Sequence, residues 1–156
     1  MCGDMKTAYI HPIHVDDLQN DPHMTELLEA YAAESSLGVM PAFNPNWELY
    51  HHLEKAECLY AAGAYVDDQM VGFSSMLITQ NPHYSVNVAT VESLFVMPEF
   101  RDNGLGLKLI YDLRRVAKTR GAAVLFASAP TQSQLAQVFH SMGWQHTNEV
   151  FARGLN

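Results

Sequence analysis

An α/β fold of the α+β type, a mixed and mostly antiparallel central sheet flanked by helices, follows from three features of this sequence. Three apolar segments, 61–66, 71–80 and 88–97, succeed one another across short polar turns, as in strands joined by hairpins. A helical pattern over 104–120 comes next, with apolar residues on one face only. Further short strand-like segments at 7–13 and 122–128 interleave with helical spacing, so strands and helices share one sheet.

Each element has a local reason. Thr7–Ile13 reads as the first strand. Asp21-Pro22 is a cap followed by proline, and Met24, Leu27, Leu28, Tyr31 and Ala32 recur at helical spacing after it. Gly38–Asn46, with Pro41 and Pro45, is a loop. Asn46 can cap a second helix bearing Trp47, Tyr50, Leu53, Ala56 and Tyr60. Asp67-Asp68-Gln69 turns the chain between two strands, and Asn81–Ser85, with Pro82, turns it before the third.

On the long helix, Leu105, Leu109, Ile110, Leu113, Val116 and Ala117 form the apolar face; Lys108, Asp112, Arg115 and Thr119 form the other. Gly121 stops it. A buried-type strand at 122–128 and a helix at 133–142, ended by Gly143, follow. Gln145–Arg153 is expected to close the chain as a last strand.

With 156 residues, 48% hydrophobic and 17% charged, the chain suits one globular domain over 1–156 rather than a disordered segment. No apolar run approaches the ~20 residues of a membrane span. The first residues lack the apolar core of a secretory signal, which points to a cytoplasmic protein. Cys2 and Cys58 have no metal-ligand spacing and read as reduced thiols. His51-His52 likewise lacks the spacing of a zinc pair, so no metal is expected.

The net charge of −8 conceals an asymmetry. Six of the nine Lys and Arg residues lie between Arg101 and Arg120, whereas 14 Asp and Glu residues precede Arg101. Net acidity argues against nucleic acid and anionic membranes as partners. It favours a cationic small molecule or a protein amine.

Within the basic cluster, Arg101-Asp102-Asn103-Gly104-Leu105-Gly106 joins a strand to a helix. Glycines there let backbone amides approach a ligand, and a helix N-terminus attracts an anion. The segment reads as a phosphate site.

That element order, with Val96-Met97-Pro98-Glu99-Phe100-Arg101-Asp102-Asn103-Gly104-Leu105-Gly106 opening the long helix, resembles the GNAT superfamily of acyl-CoA-dependent N-acetyltransferases. Phe139-His140-Ser141-Met142-Gly143-Trp144 is similar to the family's Tyr-x-x-x-Gly-Phe ending. The resemblance implies the GNAT fold, acetyl-CoA as acyl donor and an amine as acceptor. It implies that Arg101 to Gly106 hold the pyrophosphate, with Asn103, Gly104, Leu105 and Gly106 as amide donors and Lys108 adding charge. It implies that Leu94, Phe95 and Val96 pair by their backbone with the pantetheine arm, whose thioester oxyanion the Phe95 and Val96 amides suit. Gln132 stands where the family usually has Asn near that arm, and members often form homodimers.

One departure bears on chemistry. The family's tyrosine, which protonates the departing thiolate, falls at Phe139, which has no proton to give and reads as an inward core residue. Glu92 is the candidate base. It lies two residues before Leu94 and four before Val96, hence on their face by strand alternation. In some relatives the glutamate falls two residues earlier, here Thr90. An N-acetyltransferase acting by direct attack is the leading expectation; Phe139 leaves open a weakened CoA-binding module acting through protein contacts.

Overall fold

The strand meander expected from the sequence forms the centre of the molecule, whose residues 7–35 and 37–155 are described by a computed structural model. Five strands, β1 (Ala8–Ile13), β2 (Leu59–Val66), β3 (Gln69–Asn81), β4 (Val86–Val96) and β5 (Ala122–Phe126), stand in the order β1-β2-β3-β4-β5. Neighbours run antiparallel except β4 and β5, which are parallel. Asp67 and Asp68 make the β2–β3 reversal with φ of 48° and 64°, a conformation their short side chains tolerate.

Helices cover both faces. On one lie α1 (Val15–Asn20), α2 (Met24–Ser35) and α3 (Trp47–Lys55). On the other lies α4 (Leu105–Thr119), preceded by a 3₁₀ helix at Pro98–Asn103; α5 (Gln134–Ser141) follows β5. Alternation along the strands splits the core accordingly. Ala62, Ala64, Met76 and Val96 pack with the apolar face of α4, while Ala61, Phe73 and Phe95 pack with Met24 and Leu27 of α2. All six residues read as the inward face of α4 are buried.

Four sequence expectations need correction. The helix α1 escapes periodicity because six residues contain only Val15 and Leu18 as apolar anchors. It is held at its start instead: Asp17 accepts from the His14 amide (2.8 Å) and Glu54 of α3 from the Val15 amide (2.7 Å). Asn46 does cap α3, accepting from Leu49 N at 3.0 Å, but α3 stops at Lys55. Glu57, at φ 59°, redirects the chain, so Cys58 leaves the helix and Tyr60 belongs to β2. Cys2 lies outside the described residues.

The strand β5 is half open rather than buried, with Val124 and Phe126 at the sheet edge. The last expected strand is absent: residues 144–155 have no regular structure, and Val150 and Phe151 stand 77% and 87% exposed. A strand needs a ladder partner, and two apolar residues behind the polar Gln145–Glu149 give this segment little to bury.

Gly72 shows how tightly β3 and β4 meet. A Cβ there would lie 2.5 Å from the Phe95 carbonyl oxygen. Gly72→Ala should therefore force the strands apart and cost about 1–3 kcal/mol, read as a lower urea midpoint.

At the back of the sheet, the Tyr60 hydroxyl donates to Asp112 of α4 at 2.5 Å. Burial, and then that hydrogen bond, push its pKa well above the usual 10.0. The folded protein thus keeps a proton that the unfolded chain releases above about pH 10, so this contribution to stability is complete below that pH and fades as pH rises. Tyr60→Phe should flatten the alkaline decline of Tm.

Among the described residues, no helix is long and apolar enough to cross a membrane, and no cluster of His, Cys, Asp or Glu could hold a metal ion.

Candidate active site

The strand β4 carries the site because its regular pairing breaks twice. Ser93 faces Ser75 of β3, and Val91 faces Met76, so Glu92 between them has no partner. It is the extra residue of a β-bulge, which re-aims side chains locally. Strand alternation places Glu92 with Leu94 and Val96; the bulge overturns that. Leu94 and Val96 pack toward α4, whereas Glu92 turns to the opposite face, under α1–α3.

There the carboxylate is held from two sides. The Tyr50 hydroxyl of α3 donates to Glu92 Oε1, and Ser75 Oγ donates to Oε2 at 2.6 Å. Ser93 Oγ lies 2.6 Å from Ser75 Oγ, which leaves Ser93 to donate in turn. Burial, then the bond to Glu92, raise the Tyr50 pKa far above its usual value, so its hydroxyl stays a donor at every physiological pH. Glu92 itself remains open to solvent.

These groups line a cavity of about 90 Å³ beneath α1–α3. Tyr31, Phe43, Trp47 and Phe73 supply the aromatic part of its remaining wall, beside aliphatic residues such as Leu18 and Leu28. Tyr31 meets the rings of Phe43, Phe73 and Phe95 edge-on at 5.9, 5.5 and 5.9 Å. The helical spacing of Tyr31 and Trp47 suggests core; the structure makes both of them cavity wall. Tyr50, Ser75 and Ser93 belong to no motif in the sequence, although the consecutive Ser74 and Ser75 inside an apolar strand are a usable signal.

The second break in β4 lies two residues before Glu92. Its ladder with β5 ends at Thr90↔Phe126, while β4 continues to Val96 paired with β3. Leu94, Phe95 and Val96 thus sit where the two parallel strands have parted. The Val96 carbonyl, however, already accepts from Arg101 Nε at 2.8 Å.

Arg101 is committed further. Its guanidinium pairs with Glu34 of α2 at 2.6 Å and lies 5.6 Å from the centre of the Phe95 ring. Its side chain therefore ties the loop to α2.

Gly104 has φ 76°, left-handed, which glycine adopts without cost and which swings the chain from the 3₁₀ helix into α4. No side chain caps α4 at Gly104; Asn103 Oδ1 only approaches the Leu105 amide, at 3.4 Å. Space above Gly104 and Gly106 is open. The helix thus presents amides and its positive end to an anion. Asp102 and Asn103 end the 3₁₀ helix, and Lys108 is exposed one turn into α4.

On the other side, Gln132 is exposed in the loop before α5, at φ 60°. Phe139 is half-buried against Trp144, with ring centres 4.7 Å apart, and belongs to neither core cluster, contrary to the core role its spacing suggests.

Residues 22–144, which include both breaks in β4 and the α4 entrance, match the model of the acetyltransferase (GNAT) family. The chain belongs to the GNAT acetyltransferases. As a GNAT enzyme it is an N-acetyltransferase that uses acetyl-CoA as acyl donor.

Solved structures agree on the GNAT fold. A ribosomal-protein-alanine N-acetyltransferase from Brucella melitensis biovar Abortus 2308 is similar at 21% identity, covering 94% of this chain and 98% of that one, with TM-score 0.66. The aminoglycoside N-acetyltransferase AAC(6′)-Iy in complex with CoA gives 19% identity, full coverage of both chains and TM-score 0.72. Glucosamine-6-phosphate N-acetyltransferase from Arabidopsis thaliana gives 13% identity, coverage of 96% and 99%, and TM-score 0.73. At such identities the likeness speaks for the GNAT fold alone. A comparison with curated proteins finds no match.

Proposed function

We propose that this GNAT domain, acting as one unit over 1–156, moves acetyl from acetyl-CoA to a primary amine by direct attack, with Glu92 as the general base. The observation that carries this reading is the bulge at Glu92. It turns one carboxylate into the cavity two residues past the point where β4 leaves β5.

The α4 entrance fits the donor's pyrophosphate, because Gly104 offers no side-chain cap, Asn103 reaches the Leu105 amide only at 3.4 Å, and open space lies above Gly104 and Gly106. Amides from Asn103 to Gly106 would hold it, with charge from Lys108. The backbone of Leu94 to Val96 would pair with the pantetheine arm, and Gln132 would approach it from the α5 side. When bound, acetyl-CoA supplies an acyl group activated as a thioester.

The chain supplies positioning and proton handling. An amine arriving as ammonium must lose a proton before it attacks, and Glu92 takes it, directly or through one water. The hydroxyls of Tyr50 and Ser75 hold the carboxylate in place for this. The neutral nitrogen then bonds to the acyl carbon as the carbon–sulfur bond breaks, and amides near Phe95 and Val96 meet the oxygen's developing charge. Phe139 donates no proton, so the second proton, which the nitrogen sheds as the amide forms, passes through water to the departing thiolate; a thiol with a pKa near 8.5 is a tolerable leaving group.

Phe139 also supports a second reading, a weakened CoA-binding module acting through protein contacts. Release of free thiol from acetyl-CoA, measured with a panel of primary amines, separates the two. Turnover is expected. Tight acetyl-CoA binding with no turnover on any amine would favour the module.

A further inference from the structure

We infer that the acceptor is a small monoamine, one primary amino group on a compact hydrocarbon body, rather than a polyamine or an aminoglycoside. This rests on the acetyltransferase reading above and concerns the same cavity.

The first observation is a count of carboxylates. Among the described residues, Glu92 is the one acidic side chain lining the cavity. The acidity of the surrounding helices is directed elsewhere. Val15 and Leu18 of α1 face the cavity, whereas Asp16, Asp17 and Asp21 line a separate depression with His11 and Tyr65. Glu54 is bound to the Val15 amide, and Glu34 to Arg101. A molecule with several ammonium groups would therefore find one partner here and bury its remaining charges unpaired, which is costly.

The second observation is the wall. Besides Glu92, its polar side-chain groups are the hydroxyls of Tyr31, Tyr50, Ser75 and Ser93 and the indole N–H of Trp47, and the hydroxyls of Tyr50, Ser75 and Ser93 are already in the network that holds the carboxylate. The rest is aliphatic and aromatic, and it offers a sugar hydroxyl few partners. Aromatic faces suit a single alkylammonium and the carbons attached to it. The third is size. At about 90 Å³ the cavity is smaller than the roughly 150 Å³ that houses a benzene ring, so the enclosed body is short or branched rather than polycyclic.

The test compares isoamylamine and isobutylamine with spermidine and kanamycin A, by thiol release and by the thermal shift of the enzyme–CoA complex. A kcat/KM for one of the monoamines at least tenfold above both polycations, with the larger thermal shift, is expected. Phe43→Asp, a change at a half-exposed loop position, adds a second carboxylate to the wall. It should lower kcat/KM for isoamylamine about tenfold and improve putrescine relative to it. Equal or better turnover and thermal shift with spermidine or kanamycin A would overturn the inference while leaving the enzyme reading intact. If no amine turns over, the enzyme reading fails, and the ranking of thermal shifts still decides the class of molecule held.

Discussion

Glu92→Gln is expected to lower kcat/KM for the amine by roughly 10²–10⁴-fold, the usual worth of a general base, while acetyl-CoA binds as before. The substitution isolates the proton acceptor. Glutamine has nearly the same volume, and its carbonyl can still accept from Tyr50 or Ser75, so the bulge and cavity wall are preserved. What disappears is a carboxylate able to take a proton from the incoming ammonium. Because the free amine then forms only in solution, the residual rate should climb with pH toward the amine's own pKa. Rates measured with one amine from pH 6 to 10 check this. A variant that keeps full rate across that range removes Glu92 from the chemistry.

Gly104→Val should act on the donor side, raising the Kd for acetyl-CoA by about ten- to a hundredfold. A Cβ at this position meets no neighbour, so the effect is conformational and not a clash. A β-branched residue at φ 76° costs about 1–3 kcal/mol. If the chain tolerates that strain, Tm falls. If it relaxes, the 3₁₀ helix and α4 reorient, and the amides of Leu105 and Gly106 lose their common aim. Calorimetric titration with acetyl-CoA, beside a melting curve, reads both consequences; an unchanged Kd together with an unchanged Tm would show that the relaxed loop does not hold the donor.

Much of this was written in local sequence. The six inward residues of α4 declare a helix on a sheet, and glycines at its entrance point to the anion site proposed above, because backbone roles need only spacing and flexibility. The reactive face was harder to read. Strand alternation assigns sides only while pairing is regular, and the single unpaired residue at Glu92 reverses the assignment without any mark of its own. Tyr50 was hidden for a different reason: its partner is 42 residues away, so helical spacing showed it only as apolar surface. The C-terminal segment failed as a strand because strand character in Val150 and Phe151 cannot supply the neighbour they lack.

The bulge in β4 also bears on how such a protein can change over time. On its donor side, the proposed contacts come from the backbone of β4 and from glycines at the α4 entrance, which leaves little to vary. On its acceptor side, Glu92 is fixed, while the wall comes from three short helices and a loop, 37–46, whose side chains are not required for the sheet to pair. Apart from the Arg101–Glu34 link, the two halves meet chiefly along this strand. Mutations can therefore wander through the acceptor wall, exchanging one amine for another, while the inherited handling of the donor stays beyond their reach.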